Sequence, residues 1–431
     1  MHNKIISCSE HDSLEIAYLI EEETPDFSYG DRCVLFPKTH RGKDASLSCF
    51  STQYEDKSYQ LKTSYFIGVD WLYQERKEAI QVHPKINDEE GEVDYLGIIF
   101  NSLSFPDAHH AVEELFWVKW DETPIEISQK EDLLTPLLIV EYLSILREIV
   151  RKGLKKSYYR VEKNLHSRIK GKVQVGATIK RNIMRQRPLH TQCCYEAFGV
   201  NNMENRLLKK AFLFAQRYLS QYIEMGQHKQ LLSTIHYISP ALTDVSDDVS
   251  LHELKHQKSN KFFKEYERGL KLAHFILKRF GYNIQETTPS SIKVTTPPFW
   301  IDMSKVFELH VLNLLRATLK EDVKFQFQAG QLSIDYLIHT EGFQIVVDAK
   351  YKPRYREQSI HIDDIRQVSG YARMEKLYRT FAIEDSSLID CLIIYPDQEN
   401  GLEHIALDDL KKHELKSYRG IYKLGVKMPK I

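Results

Sequence analysis

Two strand-like runs, Leu332–His339 and Phe343–Lys350, flank the dipeptide Glu341-Gly342, and no other stretch leaves this chain so little conformational freedom. A two-residue turn containing glycine closes a β-hairpin, and the turn fixes the register of the strands. With the turn at 341–342, residues whose numbers sum to 683 face each other, which sets Asp335 opposite Asp348. Such a pair has its Cβ atoms about 4.5–5.5 Å apart. Successive strand side chains alternate between faces, so Lys350 shares the face of Asp348. The flanks are also ordered. A helix is expected from about Met303 to Lys320 and a strand over Lys324–Gln328. A second helix follows from Ile362 to about Leu377. The run Ile389–Tyr395, apolar except at Asp390 and ended by Pro396, reads as a central buried strand.

Two carboxylates held that close repel each other, and Ile334, Val346 and Val347 deny them full hydration. A divalent cation resolves the conflict. Mg²⁺ suits a site with few carboxylates, because it keeps several waters. The expected ligands are Asp335, Asp348 and Ala349, with Lys350 placed to orient a metal-bound water or to stabilise developing charge. Glu308, on the preceding helix, can add a third acid. Gln367 and Tyr371 lie four apart on the following helix and can lean over the site. The plain alternative is a cross-strand ion cluster on a solvated face, since single D-x-K triplets are common. Here the triplet ends an apolar strand, faces an aspartate and has a helix on either side, which favours a nuclease.

At 431 residues the chain is too long for one compact core, and its 42% hydrophobic and 28% charged content is ordinary for a folded protein. Three domains are expected: a β-rich segment over 1–127, a helical and basic middle over 128–294, and an α/β domain over 295–431. The first rests on short β-branched and aromatic runs such as Cys33–Phe36, Tyr65–Trp71 and Ala79–His83. In the second, Thr135-Pro136 starts a helix whose apolar stripe ends near Gly153. Further helices are expected over Met203–Tyr222 and Lys261–Phe280. The stretch Thr295–Pro298 reads as a stiff linker. The fold class is therefore multidomain α+β.

Lys and Arg total 59 against 60 Asp and Glu, so no global field draws this chain to nucleic acid. Any DNA contact needs a local patch. The segment from Arg151 to Arg187 is basic and nearly free of acids. Within it Lys170, Lys172, Lys180 and Arg181 are the candidate phosphate contacts, with a merely solvated face as the equal alternative. The six cysteines include no CxxC pair and read as reduced, buried thiols. The opening residues lack the layout of a signal peptide and no apolar run is long enough to span a bilayer, so the expected compartment is the cytoplasm.

Several segments together resemble the McrC family, the nuclease subunits of McrBC-type modification-dependent restriction systems. They are Phe299-Trp300-Ile301-Asp302-Met303 leading to Phe307-Glu308, then Ser333-Ile334-Asp335, Asp348-Ala349-Lys350-Tyr351-Lys352, and Asp364-Ile365-Arg366-Gln367 with Tyr371-Ala372. Arg168-Ile169-Lys170-Gly171, Cys194-Tyr195-Glu196, Asn205-Arg206-Leu207-Leu208-Lys209 and the Ile80–Ile86 strand extend the likeness upstream. Family members often carry proline before the first metal aspartate, where this chain has Ile334. The resemblance implies a PD-(D/E)xK restriction-endonuclease-like domain that cuts DNA. It also implies a separate AAA+ GTPase of McrB type, a hexamer on which the chain docks through its N-terminal domain and which recognises 5-methylcytosine. In agreement, the chain contains no GxxxxGK[ST] phosphate-binding loop of its own.

Two rival readings are weighed against this. One is a non-catalytic adaptor that regulates an NTPase, which the intact Asp335, Asp348 and Lys350 oppose. The other is a zinc metalloprotease, because His252-Glu253-Leu254-Lys255-His256 fits HExxH. Its charged flanks, and Lys255 inside the motif, oppose the buried apolar helix such a site needs. His109-His110 with Glu113 and Glu114 is a weaker pattern still.

Overall fold

The computed structural model describes residues 4–15, 31–37, 39–40, 43–44, 47–55, 58–87, 91–102, 105–108, 111–112, 114–128, 134–222, 229–249, 264–280, 293–330, 332–340, 344–352, 361–383 and 388–430. The fold is mixed α/β and separates into two compact units. One joins residues 1–134 with 288–431, and the other spans 135–287. Among the described residues no helix is long and apolar enough to cross a membrane.

The first unit contains the expected hairpin within a larger sheet. Its five strands run in the order Val323–Ala329, Leu332–His339, Gln344–Ala349, Asp390–Pro396, Ile421–Val426. The first three form an antiparallel meander and the last three are parallel. Parallel neighbours need a crossover, and the helices Ile362–Tyr371 and Glu375–Phe381 supply one between Ala349 and Asp390. The sequence expects one helix there; the structure breaks it near Ala372–Met374. Ile334, Leu337, Val346 and Ile393 from the sheet bury against Ile365, Val368, Leu377 and Phe381 from these helices. The last strand, Ile421–Val426, carries no pattern that marked it in advance. Before the sheet, the helix Met303–Leu319 packs on the strands Val323–Ala329 and Gln344–Ala349.

A second five-stranded sheet in the same unit changes the expected division of the chain. Its order is Lys4–Ser9, Glu78–His83, Phe66–Tyr73, Phe299–Asp302, Phe116–Val118. Phe299–Asp302 thus pairs on both sides with strands from the first third, although the expected boundary places it in the last domain. The reason is burial, since Phe299, Trp300 and Ile301 are all shielded from solvent there. Trp300 Nε1 donates to Asp70 Oδ2 at 2.8 Å, and the Lys119 ammonium stands 2.7 Å from the same oxygen. Gly68 is required at the crossing: its φ is +151°, and a Cβ there would lie 2.0 Å from the Phe299 carbonyl oxygen. Thr295–Pro298 is likewise no free linker, because Lys293–Thr296 pairs with Ile125–Ser128. Asp302 then caps the helix Met303–Leu319, accepting from the Ser304 and Lys305 amides. A helix, Tyr95–Ser102, interrupts the β-rich first third and packs on Met303–Leu319, where Ser102 Oγ bonds Asn313 Oδ1 at 3.1 Å.

The second unit holds the expected helices Leu134–Lys152, Met203–Tyr222 and Lys264–Phe280, together with Lys229–Ile238. It is not purely helical. Ser157–His166, His190–Gly199 and Lys172–Val173 form a three-stranded antiparallel sheet inside the basic segment. Asn205 and Asn202 both donate to the Lys155 carbonyl, at 2.9 and 2.8 Å, and fasten the base of that hairpin. This gives the Asn205-Arg206-Leu207-Leu208-Lys209 segment a structural role. The cysteines are free thiols, with Cys33 exposed and Cys194 half-buried, so burial holds for only four of the six.

Candidate active site

The observed hairpin register pairs Tyr336 with Val347, Leu337 with Val346 and His339 with Gln344, so every pair sums to 683. The turn at 341–342 lies outside the described residues. One step further along this register stand Asp335 and Asp348. Asp335 Oδ2 accepts from the Ala349 amide at 2.9 Å. The Lys350 ammonium is 2.8 Å from Asp348 Oδ2 and is the positive charge that faces this buried carboxylate.

Electrostatics follows from burial. Loss of hydration is the largest influence on Asp335 and pushes its carboxyl well above the usual range, with Glu308 and Asp348 pushing the same way. Burial also raises Asp348, against the pull of Lys350. For Lys350 burial opposes the charge, yet the Asp348, Asp335 and Asp364 carboxylates hold its pKa above that of an ordinary lysine. The lysine is therefore a cation at neutral pH.

The site is completed from two helices. Glu308 sits on Met303–Leu319, near enough to act on Asp335, and its carbonyl accepts from the Tyr336 hydroxyl. Gln367 Oε1 accepts from Lys350 Nζ at 2.9 Å, while its Nε2 donates to the Tyr371 hydroxyl at 2.7 Å. Asp335, Asp348, Ala349, Lys350, Glu308 and Gln367 are thus brought together in one unit. Lys170, Lys172, Lys180 and Arg181 lie in the other unit, all exposed, and Lys170 stands over the Tyr195 ring at 4.3 Å.

Two neighbouring carboxyls that both lose hydration and resist ionisation match the demand of a hard cation. Among the described residues no three or more of His, Cys, Asp and Glu stand close enough to cage a metal. The HExxH segment and His109-His110 lie outside the described residues, and Glu114 is engaged in an ion pair with Lys305.

Sequence reasoning did not single out two features of the site. Lys352 Nζ donates to both oxygens of Asp364, at 2.9 and 2.8 Å. The spacing 350/352 on one side and 364/367 on the other was the signal available. The second feature is the Tyr351 hydroxyl, which donates to Glu10 Oε2 at 3.0 Å across 341 positions of chain, and no local pattern announces it.

A family model described as McrBC 5-methylcytosine restriction system component matches residues 61–396. Among solved structures, one similar chain comes from a refined half-complex of the tetradecameric assembly of Thermococcus gammatolerans McrB AAA+ hexamers with bound McrC. It is 15% identical, with 99% of this chain and 94% of that one covered at a TM-score of 0.41. Another comes from a Thermococcus gammatolerans McrBC complex, 15% identical, with 72% of this chain and 87% of that one covered at a TM-score of 0.28. No curated protein matches the chain.

Proposed function

This chain belongs to the family of McrBC 5-methylcytosine restriction system components, and from that premise we propose that it is the subunit that cuts DNA. In this reading the sheet Val323–Val426 and its helices form a PD-(D/E)xK nuclease. The observation that carries it is the convergence of half-buried Asp335 and Lys350 with buried Asp348 on one patch at the end of an apolar strand. Asp335, Asp348 and the main chain at Ala349 would hold Mg²⁺. When bound, Mg²⁺ lowers the pKa of its water and offsets charge on the phosphodiester.

The chain's own groups do the rest. Lys350 is held protonated by its carboxylate neighbours, so it serves as a positive charge against the pentavalent phosphate and not as a base. Gln367 orients that ammonium by accepting from it, and Tyr371 fixes the Gln367 amide in turn. Glu308 keeps negative potential on the Asp335 side, which strengthens cation binding. With no phosphate-binding loop in the sequence, the work of moving DNA falls in this reading to a separate AAA+ GTPase. Recognition of the modified base falls to that partner as well.

The test is cleavage of a 5-methylcytosine-bearing plasmid by the full chain with its AAA+ partner, GTP and Mg²⁺. Asp348→Ala and Lys350→Ala should each slow cutting by about 10³-fold or more while leaving the thermal midpoint and partner binding near wild type. Chelation with EDTA should stop cutting reversibly. Wild-type rates in Asp348→Ala would refute the assignment and favour an adaptor.

A further inference from the structure

The segment after the catalytic strand is bent back on itself, since the Lys352 amide donates to the Lys350 carbonyl at 2.8 Å in a three-residue turn. Both lysines of this turn reach the same helix. Lys350 bonds Gln367, and Lys352 bonds both oxygens of Asp364. Asp364 and Gln367 are three residues apart and so are neighbours on one helical face. The helix Ile362–Tyr371 has no side-chain cap from His361 at its N-terminus. Its first turn is instead held by Asp364, whose side chain is only 7% exposed while that of Lys352 is 43% exposed. The buried carboxylate is also felt at the chemistry, since it acts on both Asp348 and Lys350.

We propose that Asp364 is a positioning residue for the nuclease: by gripping Lys352 it registers the helix Ile362–Tyr371 against the catalytic turn, so that Gln367 meets the Lys350 ammonium. This rests on the nuclease reading above. The two bonds act as a pair. Ile365 and Val368 seat the helix on the sheet, and the Lys352–Asp364 bond, one helical turn from Gln367, fixes its polar face against the turn at Lys350–Lys352. An ion pair with its carboxylate buried is suited to this, because Lys352 cannot leave without stranding the Asp364 charge.

The experiment uses the full chain with its AAA+ partner, GTP, Mg²⁺ and the methylated plasmid. Asp364→Asn and Lys352→Met should each lower kcat about 10–100-fold, the range for outer partners of a metal site, with KM for the plasmid little changed. If Asp364 acts through Gln367, the two are coupled. The Asp364→Asn/Gln367→Ala double variant should then be hardly slower than Gln367→Ala alone. The reversed pair, Lys352→Asp with Asp364→Lys, should recover a large part of the lost rate, an outcome that a loss of fold cannot produce. Should Asp364→Asn unfold, Lys352→Met and the reversed pair decide the matter. Wild-type kcat in Asp364→Asn, or losses that multiply in the double variant, would overturn the proposal. A different result, Asp348→Ala cutting at the wild-type rate, refutes the nuclease reading itself and this inference with it.

Discussion

At Glu10 the chain buries a carboxylate that nothing in its neighbourhood of sequence explains. Burial is the main cause of its pKa rising from 4.5 to about 8, with the Tyr351 hydroxyl and Lys85 pulling it down and Asp302 adding to the rise. A carboxyl whose folded pKa is raised contributes stability that is complete below about 4.5 and is lost as pH climbs through about 8. Each pKa unit corresponds to about 1.4 kcal/mol, so the loss is a few kcal/mol. Glu10→Gln, which keeps the shape without the charge, should therefore melt near the wild type at pH 5 and several degrees above it at pH 8.5. Thermal midpoints across that range measure this, and a difference that stays flat with pH would show that Glu10 is hydrated and ordinary. The contrast with Asp335 and Asp348 is instructive. Those two were legible because they sit close in sequence, where strand alternation and one turn decide who faces whom. Glu10 meets Tyr351 only after the whole fold has closed, and His310, driven down to about 4 by burial despite its bond to the Lys427 carbonyl, is hidden for the same reason.

Elements defined by local periodicity came through the sequence well, and elements defined by distant partners did not. Met203–Tyr222 and Leu332–His339 have the expected bounds because amphipathic stripe and alternation are intrinsic to each segment. The hairpin Ser157–His166 with His190–Gly199 was obscured because its first strand breaks the alternation: Glu162, Lys163 and Asn164 are exposed in succession, and Tyr158 is exposed beside Arg160. The two strands and the segment 167–189 between them also carry exposed apolar residues, including Tyr158, Ile169, Val175, Met184, Leu189 and Phe198. Such a concentration is unusual for a free surface and competes with a purely phosphate-tracking role. Salt dependence separates the two. Thirteen Lys and Arg stand against the single Glu162 between residues 151 and 187. If they carry DNA, replacing Lys170, Lys172, Lys180 and Arg181 by Ala should flatten the slope of log affinity against log salt by roughly three to four. Methylated and unmethylated duplexes should weaken equally. Fluorescence anisotropy of the full chain at several salt concentrations reads both, and an unchanged slope assigns the segment to a protein contact instead.

For the whole molecule, the decisive fact is that the chain's first and last thirds share one sheet, so the part that carries Asp335, Asp348 and Lys350 cannot be cut out where the sequence suggests. Reading 295–431 as a free-standing domain was natural, because helix, hairpin, crossover and buried strand form a complete α/β pattern. What sequence cannot show is that Phe299–Asp302, just inside that boundary, fills the gap between Phe66–Tyr73 and Phe116–Val118. Removing residues 1–125 would bare Phe299, Trp300 and Ile301, each now buried. Exposing three such side chains costs about 5–9 kcal/mol, against a total stability of roughly 5–15 kcal/mol for a typical protein. It would also strip the Asp70 partner from the Trp300 indole and the Glu10 partner from Tyr351, next to Lys350. The truncated chain 126–431 should therefore lose a cooperative melt in the part that carries Asp335 and Asp348. The fragment 135–287, which keeps its own core around Tyr142, Leu146, Leu208 and Ala211, should retain one. Calorimetry on the two fragments tests this, and a sharp transition in 126–431 matching that of the intact chain would contradict it. It follows that, if a partner motor stimulates this chain, losing that effect on deleting 1–125 cannot by itself locate the docking surface, because the same deletion undermines the strand that leads into the helix Met303–Leu319. Point substitutions on the outer faces of the first third, with the Phe299–Asp302 pairing left whole, are the cleaner way to ask where a partner binds.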